Sequence, residues 1–578
     1  MRSTMATDIE AFQACQDIIY SNDYADYIIQ AVGGSEELKR AYNYECIKRI
    51  GNRYQAIYVD RKGDVLHTFE RFGYRSFPKV YGLMDQSALE AIGVNRVRRQ
   101  PYLNLRGQDI LIGFIDTGID YRNPIFSNAD NTTRIAGIWD QTIPAVDNTN
   151  EFGFRFGTTY TEEDINQALA SEDPLSIVPS VDTIGHGTFL AGIAAGNEDM
   201  INDFSGVAPS SNIAMVKLKE AKEYIKEFYQ VPDGVPCYQE NDLMLAISYL
   251  LNIAEKLVRP LVICIGLGTS SGDHNGDSYL EDFIDSFSGF VGLCTTIAAG
   301  NEGNRGHHYY GDFTSDREYE DVEINVAPDE KGFVMELWTG PLHTFSIGLI
   351  SPGGEYIDRI PPRLNQRQRI SFLLEPTQAY VYYELSEKQS GNELIVIRLV
   401  NPTPGIWKVR VFPGGNGDRR YNMWLPIHDF IKDQTKFLRP NPETTITSPG
   451  YTRRATTMGA YNHITDSLYV NSGHGFAAEG FVKPDLVAPG VDVYGPAENG
   501  GYTTKSGTSI STALAAGSIA LLLEWGIVLE NDISMSGFKI NRFLVRGARR
   551  GNLNYPNPEW GYGELDIYNT FDSLRTTV

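Results

Sequence analysis

The sequence predicts an α/β protein whose main domain is a doubly wound parallel sheet. Two observations predict this fold class. Short, fully apolar segments alternate with helical patterns from residue 87 to about 312, and the same alternation returns after about residue 443. Strands that are apolar along their whole length are typical of a parallel sheet that helices cover on both faces.

A smaller module precedes this domain. Residues 1–86 contain a helical pattern in SEELKRAYNYECIKRIG, a strand pattern in YQAIYVD and an extended segment, FPKVYGLMDQ. This mixture of helical and strand patterns indicates a small α+β module.

An all-β block interrupts the main domain. Six segments of strand length are rich in β-branched or aromatic residues and are separated by Pro/Gly turns: VMELWTG, FSIGLISPGG, ISFLLEP, AYVYYELSE, LIVIRLVNP and IWKVRVFPGG. Such spacing without helices predicts an inserted antiparallel sandwich or jelly roll. We therefore expect four segments, namely the α+β module (1–86), the first part of the main domain (87–312), the β insert (313–442) and the second part of the main domain (443–578).

The composition argues against several classes of partner. The formal net charge of −23 argues against binding to nucleic acid or to an anionic membrane, which requires clustered Lys and Arg. We find no apolar segment of membrane-crossing length and no signal-peptide pattern at the N-terminus. The five scattered cysteines indicate reduced thiols, so we expect an intracellular, cytoplasmic location.

The segment KSGTSISTALAAG places Ser509 at the start of a predicted helix. One interpretation is a helix-capping serine, with small residues after it because another element packs closely against the helix. The other is a nucleophile, placed where backbone N–H groups and the helix dipole favour negative charge.

Three further polar residues occupy similar positions. Asp116 ends the strand pattern ILIGFID, His186 begins the helical segment HGTFLAGIAAG, and Asn301 follows the strand pattern CTTIAAG. Each has an ordinary structural alternative, which is a turn or cap for Asp116, a loop position for His186 and an Asx-turn for Asn301. Because strand ends and helix starts converge at one edge of a parallel sheet, we expect these side chains to meet Ser509 there.

These residue types suit acyl transfer. A serine hydroxyl needs a base within hydrogen-bond reach, and histidine supplies one near neutral pH. The histidine in turn needs a carboxylate that fixes its tautomer. The Ser509 N–H and the Asn301 side chain are candidates for stabilising the oxyanion.

The motifs DTGID, GHGTFLAGIAAG, AAGNEG, KPDLVAPG and SGTSISTALAAG resemble those of the subtilisin-like serine proteases, with the Asp, His and Ser in the order that is typical of that family. The resemblance implies a subtilisin-like sheet and a protein substrate. It also implies roles for Asp116 in orienting His186, for His186 as general base and acid, for Ser509 as nucleophile and for Asn301 in the oxyanion hole. Gly266, Leu267 and Gly268 resemble the family's substrate-pairing strand, for which close packing of the glycines is the alternative.

Three departures resemble one group within the family. Ala513 replaces the proline usual four residues after the nucleophile, a long insertion separates Asp116 from His186, and the β block lies between Asn301 and Ser509. All three resemble the clostridial Csp germination proteases, which activate a spore-cortex hydrolase by cutting its pro-form. This resemblance adds a spore-associated location to the expectations. The alternatives are a general intracellular subtilase and a pseudoprotease that its propeptide keeps inert and that acts in binding or signalling.

The N-terminal module resembles the family's propeptide, an intramolecular chaperone and inhibitor, with an unrelated docking domain as the alternative. Ser87 fits a capping box at the start of a helix, with Glu90 three residues later. We therefore expect self-cleavage between Gln86 and Ser87. We expect no metal or other cofactor, since His307 and His308 are adjacent and the acidic segment 196–206 lacks a regular ligand pattern.

Overall fold

The structure is a computed structural model of the chain. It describes residues 18, 23–30, 35–50, 54–61, 87–144, 156–313, 317–342, 344–363, 367–388, 390–414, 419–498 and 500–575. The chain divides into two compact units, Met1–Met84 and Asp85–Val578.

The first unit contains one described helix and a three-stranded antiparallel sheet. Its elements are β1 (Tyr24–Gln30), α1 (Ser35–Tyr42), β2 (Cys46–Ile50) and β3 (Tyr54–Asp60), and the strand order is β1-β3-β2. Apolar side chains of the sheet, among them Tyr27 and Ile57, pack with Leu38 of α1. Cys46 is disulfide-bonded, so the expectation that all five cysteines are reduced is wrong for this residue, whereas Cys237, Cys264 and Cys294 are free.

The second unit contains the remaining described helices. They are α2 (Ser87–Ala91), α3 (Val94–Arg99), α4 (Glu162–Leu169), α5 (His186–Ala195), α6 (Glu223–Tyr229), α7 (Glu240–Leu257), α8 (Tyr279–Phe287), α9 (Thr508–Leu523), α10 (Gly537–Gly547) and α11 (Ile567–Arg575).

The strands of the second unit fall into three groups along the chain. The first group is β4 (Leu111–Asp116), β5 (Ile135–Asp140), β6 (Thr158–Thr161), β7 (Asn212–Lys217), β8 (Leu261–Ile265) and β9 (Leu293–Ala298). The second is β10 (His308–Asp312), β11 (Glu320–Val326), β12 (Gly332–Thr339), β13 (Phe345–Ile350), β14 (Tyr356–Ile360), β15 (Arg367–Ser371), β16 (Gln378–Glu384), β17 (Glu393–Val400), β18 (Gly405–Pro413), β19 (Arg420–Trp424) and β20 (Lys436–Phe437). The third is β21 (Thr456–Asn462), β22 (Ser467–Leu468), β23 (Leu486–Pro489), β24 (Val493–Pro496) and β25 (Tyr502–Lys505).

The first and third groups supply the central sheet, with the order β22-β21-β9-β8-β4-β7-β5-β6 and with β23 also paired to β21. The pairs from β21 through to β5 are parallel, and β22 and β6 add antiparallel pairs at the two ends. The predicted parallel α/β sheet is therefore confirmed, as a mixed sheet with antiparallel ends.

Helices cover both faces of this sheet because its strands are apolar along their whole length. Ile112 and Phe114 of β4 pack on the face that carries α5 and α9. Leu111 and Ile115 alternate to the other face, where α7 and α8 lie. Fully burying one such side chain stabilises the fold by about 1.5–3 kcal/mol. The continuous burial of β4 therefore fixes the position of Asp116, its last residue.

The second group of strands forms two antiparallel sheets that share one core. Their orders are β10-β19-β12-β17-β16-β15 and β14-β13-β18-β11-β20. Side chains alternate along β17, so that Ile395 and Ile397 are buried against residues of the other sheet such as Val409 and Val411 of β18. This alternation of side chains, with a period of two residues, explains why the sequence of the β insert shows only strand patterns.

Helix α9 has the apolarity of a membrane-spanning helix but lies in the core. The stretch Thr508–Val528, which includes α9 and the π-helical turn after it, has a mean hydropathy of 1.6 over its most apolar window. The expectation that no segment is long and apolar enough to cross a membrane is therefore wrong for this stretch. However, 89% of that window is buried inside the structure, as in a core helix.

Candidate active site

Asp116 ends β4 at the carboxyl edge of the sheet and is buried. Its Oδ1 accepts a hydrogen bond of 2.7 Å from the backbone N–H of Thr117. A buried carboxylate held in this way has one orientation, and that orientation determines what the carboxylate can bind.

His186 is the first residue of α5. A glycine is required on each side of it, for a different physical reason in each case. Gly185 precedes the helix with φ +73°, a left-handed conformation that favours glycine. A Cβ built on Gly187 would lie under 3.0 Å from the carbonyl oxygen of Gly118. Only glycine therefore allows α5 to approach β4 closely enough for His186 to reach Asp116.

Asp182 fixes the start of α5. Its carboxylate accepts hydrogen bonds from the backbone N–H groups of Gly185 (2.8 Å) and Thr188 (2.9 Å), and from the Thr117 hydroxyl (2.8 Å). It therefore ties the end of β4 to the start of α5. Asp182 was not among the residues predicted from the sequence, because it lies three positions before Gly185, whereas a capping residue is recognised immediately before the helix.

Ser509 is the second residue of α9, after Thr508, and Gly507 precedes the helix. The interpretation of Ser509 as the helix cap is therefore wrong, because the capping position belongs to a residue without a side chain. In this first turn the backbone N–H groups have no acceptor within the helix, and the helix dipole favours negative charge.

The three side chains form one line of hydrogen bonds. His186 Nδ1 lies 2.8 Å and 2.9 Å from the two carboxylate oxygens of Asp116, and His186 Nε2 lies 3.1 Å from Ser509 Oγ. Asp116 is 1% exposed and the His186 side chain is 28% exposed, so the line runs from the protein interior towards solvent. In this arrangement the carboxylate selects the tautomer with a proton on Nδ1, which leaves Nε2 free to accept the hydroxyl proton.

The environment of His186 raises the pKa of its imidazole above the ordinary value of 6.5. Burial acts in the opposite direction, since it disfavours the charged form. The negative charge of Asp116 and its hydrogen bond to the ring together outweigh burial, although the Lys505 ammonium opposes them. The imidazolium that would form on proton transfer is therefore stabilised in place.

Asn301 lies beside Ser509, and its amide orientation follows from its hydrogen bonds. Its Oδ1 accepts from the backbone N–H of Thr508 (3.2 Å) and from the Thr508 hydroxyl (3.3 Å), so its Nδ2 is left to donate elsewhere. A Cβ built on Gly507 would lie 3.5 Å from Ser509 Oγ and 3.6 Å from Asn301 Nδ2, so both atoms border the same space. Asn301 Nδ2 can therefore donate a hydrogen bond to a negatively charged oxygen in that space.

Gly266, Leu267 and Gly268 directly follow Ile265, the last residue of β8. A Cβ built on Gly266 would lie 3.1 Å from Ser509 Cβ and 3.2 Å from His186 Cε1. Close packing against His186 and Ser509 therefore accounts for this glycine. The pairing of the segment with a substrate backbone stays a prediction.

The remaining predicted site residues lie at the start of the second unit. Gln86 lies outside the described residues, and helix α2 begins at Ser87. Among the described residues, no group of three or more His, Cys, Asp or Glu side chains is placed to hold a metal ion. The adjacent His307 and His308 have different partners, which are Glu302 and Asn422.

The sequence profile of the Subtilase family matches residues 107–319 and 387–563, which together contain the line of hydrogen bonds and Asn301. The chain belongs to the subtilase family. Its fold is accordingly subtilisin-like, and the resemblance to the subtilisin-like serine proteases is confirmed.

A solved structure supports the finer resemblance. The CspB protease of Clostridium perfringens is 33% identical to this chain, with a TM-score of 0.75 over 84% of this chain and 97% of that one. The predicted resemblance to the Csp proteases is thus confirmed for family membership and fold.

Curated relatives match over a shorter region. Subtilisin-like protease SBT6.1 of Arabidopsis thaliana is 32% identical over 104 residues, and the C5a peptidase of Streptococcus pyogenes is 36% identical over 113 residues. Each match covers 18% of this chain, and the chain spans about a tenth of the length of these relatives.

Proposed function

We propose that this protein is a serine endopeptidase in which Ser509 attacks the peptide carbonyl. The observation that carries the proposal is the continuous hydrogen-bonded line from Asp116 through His186 to Ser509. His186 Nε2 takes the hydroxyl proton as the Ser509 oxygen bonds to the carbonyl carbon, and Asp116 stabilises the resulting imidazolium. The same proton then passes to the leaving amine, and water releases the acyl group by the reverse sequence.

The tetrahedral intermediate carries its negative charge on the former carbonyl oxygen. Asn301 Nδ2 and the backbone N–H of Ser509 donate to that oxygen in the proposed site. Such donors lower the barrier because they are already oriented before the charge develops. No metal or other cofactor takes part in this mechanism.

We propose that residues 1–86 are a propeptide that the enzyme removes by cutting between Gln86 and Ser87. Support comes from the separate compactness of the first unit and from the start of helix α2 at Ser87. N-terminal sequencing of the purified protein tests this. A mature chain that begins at Ser87 is the expected result, and one that begins well away from Ser87 contradicts it.

The proposed substrate is a protein that is activated by limited cleavage, namely the pro-form of a spore-cortex hydrolase. The support is the similarity of fold to the C. perfringens CspB protease and the resemblance of the insertions named above to those of the Csp proteases. We also propose that the β insert is a jelly roll. The enzyme would then act in the cytoplasm or in the spore during germination. An unselective peptide-cleavage profile would instead favour a general intracellular subtilase.

A fluorophosphonate probe tests the central proposal. We expect the probe to form an adduct on Ser509, located by mass spectrometry, and the adduct to be absent in Ser509→Ala. Ser506→Ala is the matched control, since it removes a nearby hydroxyl that contacts Asp492 instead of His186. Absence of any adduct on the parent protein would contradict the proposal and favour a pseudoprotease that acts by binding.

A further inference from the structure

Glu302, the residue directly after Asn301, lies buried between two imidazoles. Its Oε2 lies 2.7 Å from His307 Nδ1, and its Oε1 lies 2.7 Å from His428 Nδ1. Oε1 also accepts a hydrogen bond of 3.1 Å from the backbone N–H of His428. We call these three residues the Glu302 clamp.

The clamp joins two distant parts of the chain. His428 follows β19 of the insert and lies 126 positions after Glu302. The opposite side of the same loop is also held, because the N–H of Gly303 donates to the carbonyl of Asn471 (3.0 Å). The backbone just after Asn301 is thus fixed from the insert and from the main domain.

The electrostatics keep the Glu302 carboxylate ionised. Burial alone would raise its pKa, but the hydrogen bonds and charges of His307 and His428 lower the pKa to about 2. Hydrogen bonds to an ionised carboxylate are about twice as strong as those between neutral groups. The Glu302 carboxylate therefore stays ionised across the neutral pH range.

We propose that Glu302 and His428 are positioning residues that hold Asn301 in line with the oxyanion. The Asn301 side chain is held by Thr508, and the next residue in the chain, Glu302, is held by His428, so the direction of the Asn301 Nδ2 depends on both contacts. The inference rests on the proposed function, in which Asn301 donates to the oxyanion. It gives the β insert a specific part in catalysis.

Other contacts also hold the insert to the main domain, and they do not involve the loop that carries Asn301. The Arg398 guanidinium of β17 donates to the carbonyls of Phe228 (2.8 Å) and Glu227 (2.9 Å). The Trp424 ring stacks between His274 and His308, with centroids at 3.8 Å and 4.9 Å. Because these contacts remain, loss of the His428 side chain should leave the insert docked.

The first test measures kcat and KM of His428→Leu on a chromogenic peptide, with Arg398→Gln as the matched control. We expect kcat of His428→Leu to fall about tenfold or more, part of the roughly 10²–10³-fold effect of an oxyanion amide. KM should stay within about twofold, and His428→Gln, which retains a donor, should recover part of the rate. Arg398→Gln should keep the parent kcat. An unchanged kcat in His428→Leu, or an equal loss in Arg398→Gln, would overturn the inference.

The second test asks whether the clamp acts through Asn301. In an Asn301→Ala background the added change His428→Leu should cost almost nothing, because the amide that it positions is gone. If kcat of the double variant fell by the full product of the two separate losses, the inference would be overturned. If His428→Leu does not fold, as judged by its thermal midpoint, Glu302→Gln takes its place in the same cycle. Failure of the parent to label at Ser509 would contradict the proposed function itself, and is thereby distinguished from failure of the clamp.

Discussion

His186 Nε2 lies 3.1 Å from Ser509 Oγ, although the two residues are 323 positions apart. Two buried elements make this contact. Helix α9 runs through the core beneath the sheet, and α5 packs against α9. The first residues of both helices therefore lie at the same edge of the sheet. The contact therefore follows from the packing of the two helices.

Asp116→Asn should nearly abolish activity while leaving the fold intact. The amide would donate to His186 Nδ1 and so favour the wrong imidazole tautomer, a change that lowers kcat by about 10⁴ in the serine protease for which it was measured. The measurement is kcat on a peptide substrate together with the thermal midpoint. Asp120→Asn is the control, since its carboxylate pairs with Arg122 (2.9 Å). A parent-like kcat in Asp116→Asn would contradict the proposed role.

The pH profile should reflect the raised pKa of His186. The neutral imidazole is the active form, so kcat/KM should fall as the pH drops through that pKa. Because Asp116 raises the pKa above 6.5, the midpoint of the acidic limb should lie above pH 6.5. In Asp116→Asn the effect of burial, which lowers the pKa of His186, remains without the counter-charge, so the midpoint should move to lower pH. The rate of fluorophosphonate labelling, measured against pH, gives the midpoint for the parent and for Asp116→Asn. The same midpoint in both proteins would contradict the assignment of the acidic limb to His186.

The sequence was sufficient to predict the sheet and the meeting of Asp116, His186 and Ser509. Both follow from local patterns, since apolar strands require a covered parallel sheet and the ends of such strands share one edge. The glycines around His186 were visible as a motif. The physical reason for these glycines could not be predicted, because the close approach of Gly187 to Gly118 depends on how α5 packs.

The Glu302 clamp could not be predicted from the sequence. Glu302 lies in the loop after β9 and His428 in a 3-10 turn after β19, and the two are joined only by how the insert docks on the main domain. No periodicity or spacing relates two such positions. Asp182 is a different case, because its hydrogen bonds from the backbone N–H groups of Gly185 and Thr188 are local in the sequence.

Asn301→Ala should lower kcat with little effect on KM. The amide stabilises charge that exists only after attack, so its loss affects the transition state more than substrate binding. Subtilisin, a member of the same family, supplies the expected size, about 10²–10³ in kcat for the loss of such an asparagine. Steady-state kinetics on one peptide measure both constants. A loss confined to KM would instead place Asn301 in substrate binding.

Gly187→Ala should separate His186 from Asp116. The new Cβ would lie under 3.0 Å from the Gly118 carbonyl oxygen, so α5 must move away from β4. We expect a loss of stability of about 1–3 kcal/mol from overpacking, with a larger proportional loss of activity. Gly340→Ala is the control, because a Cβ there would meet no atom within 4 Å. Parent-like activity in Gly187→Ala would show that the close approach is not required.

Glu302→Gln should change stability in a defined pH window. The folded-state pKa of Glu302 is about 2, below the ordinary 4.5, so its stabilisation is present above pH 4.5 and is lost as the pH falls towards 2. The hydrogen bond to Glu302 raises the pKa of His428 above 6.5, so that contribution is present below pH 6.5 and is lost as the pH rises through the raised value.

The destabilisation by Glu302→Gln should therefore be largest between pH 4.5 and 6.5, on the order of 3 kcal/mol. Denaturant unfolding from pH 3 to 8 measures it, in the Ser509→Ala background so that self-digestion does not interfere. Glu323→Gln is the control, because its partly exposed pair with Lys408 (3.0 Å) contributes about 0–1 kcal/mol and should give a small effect. A destabilisation by Glu302→Gln that is the same at every pH would mean that the side chain fills space there without acting as a charged clamp.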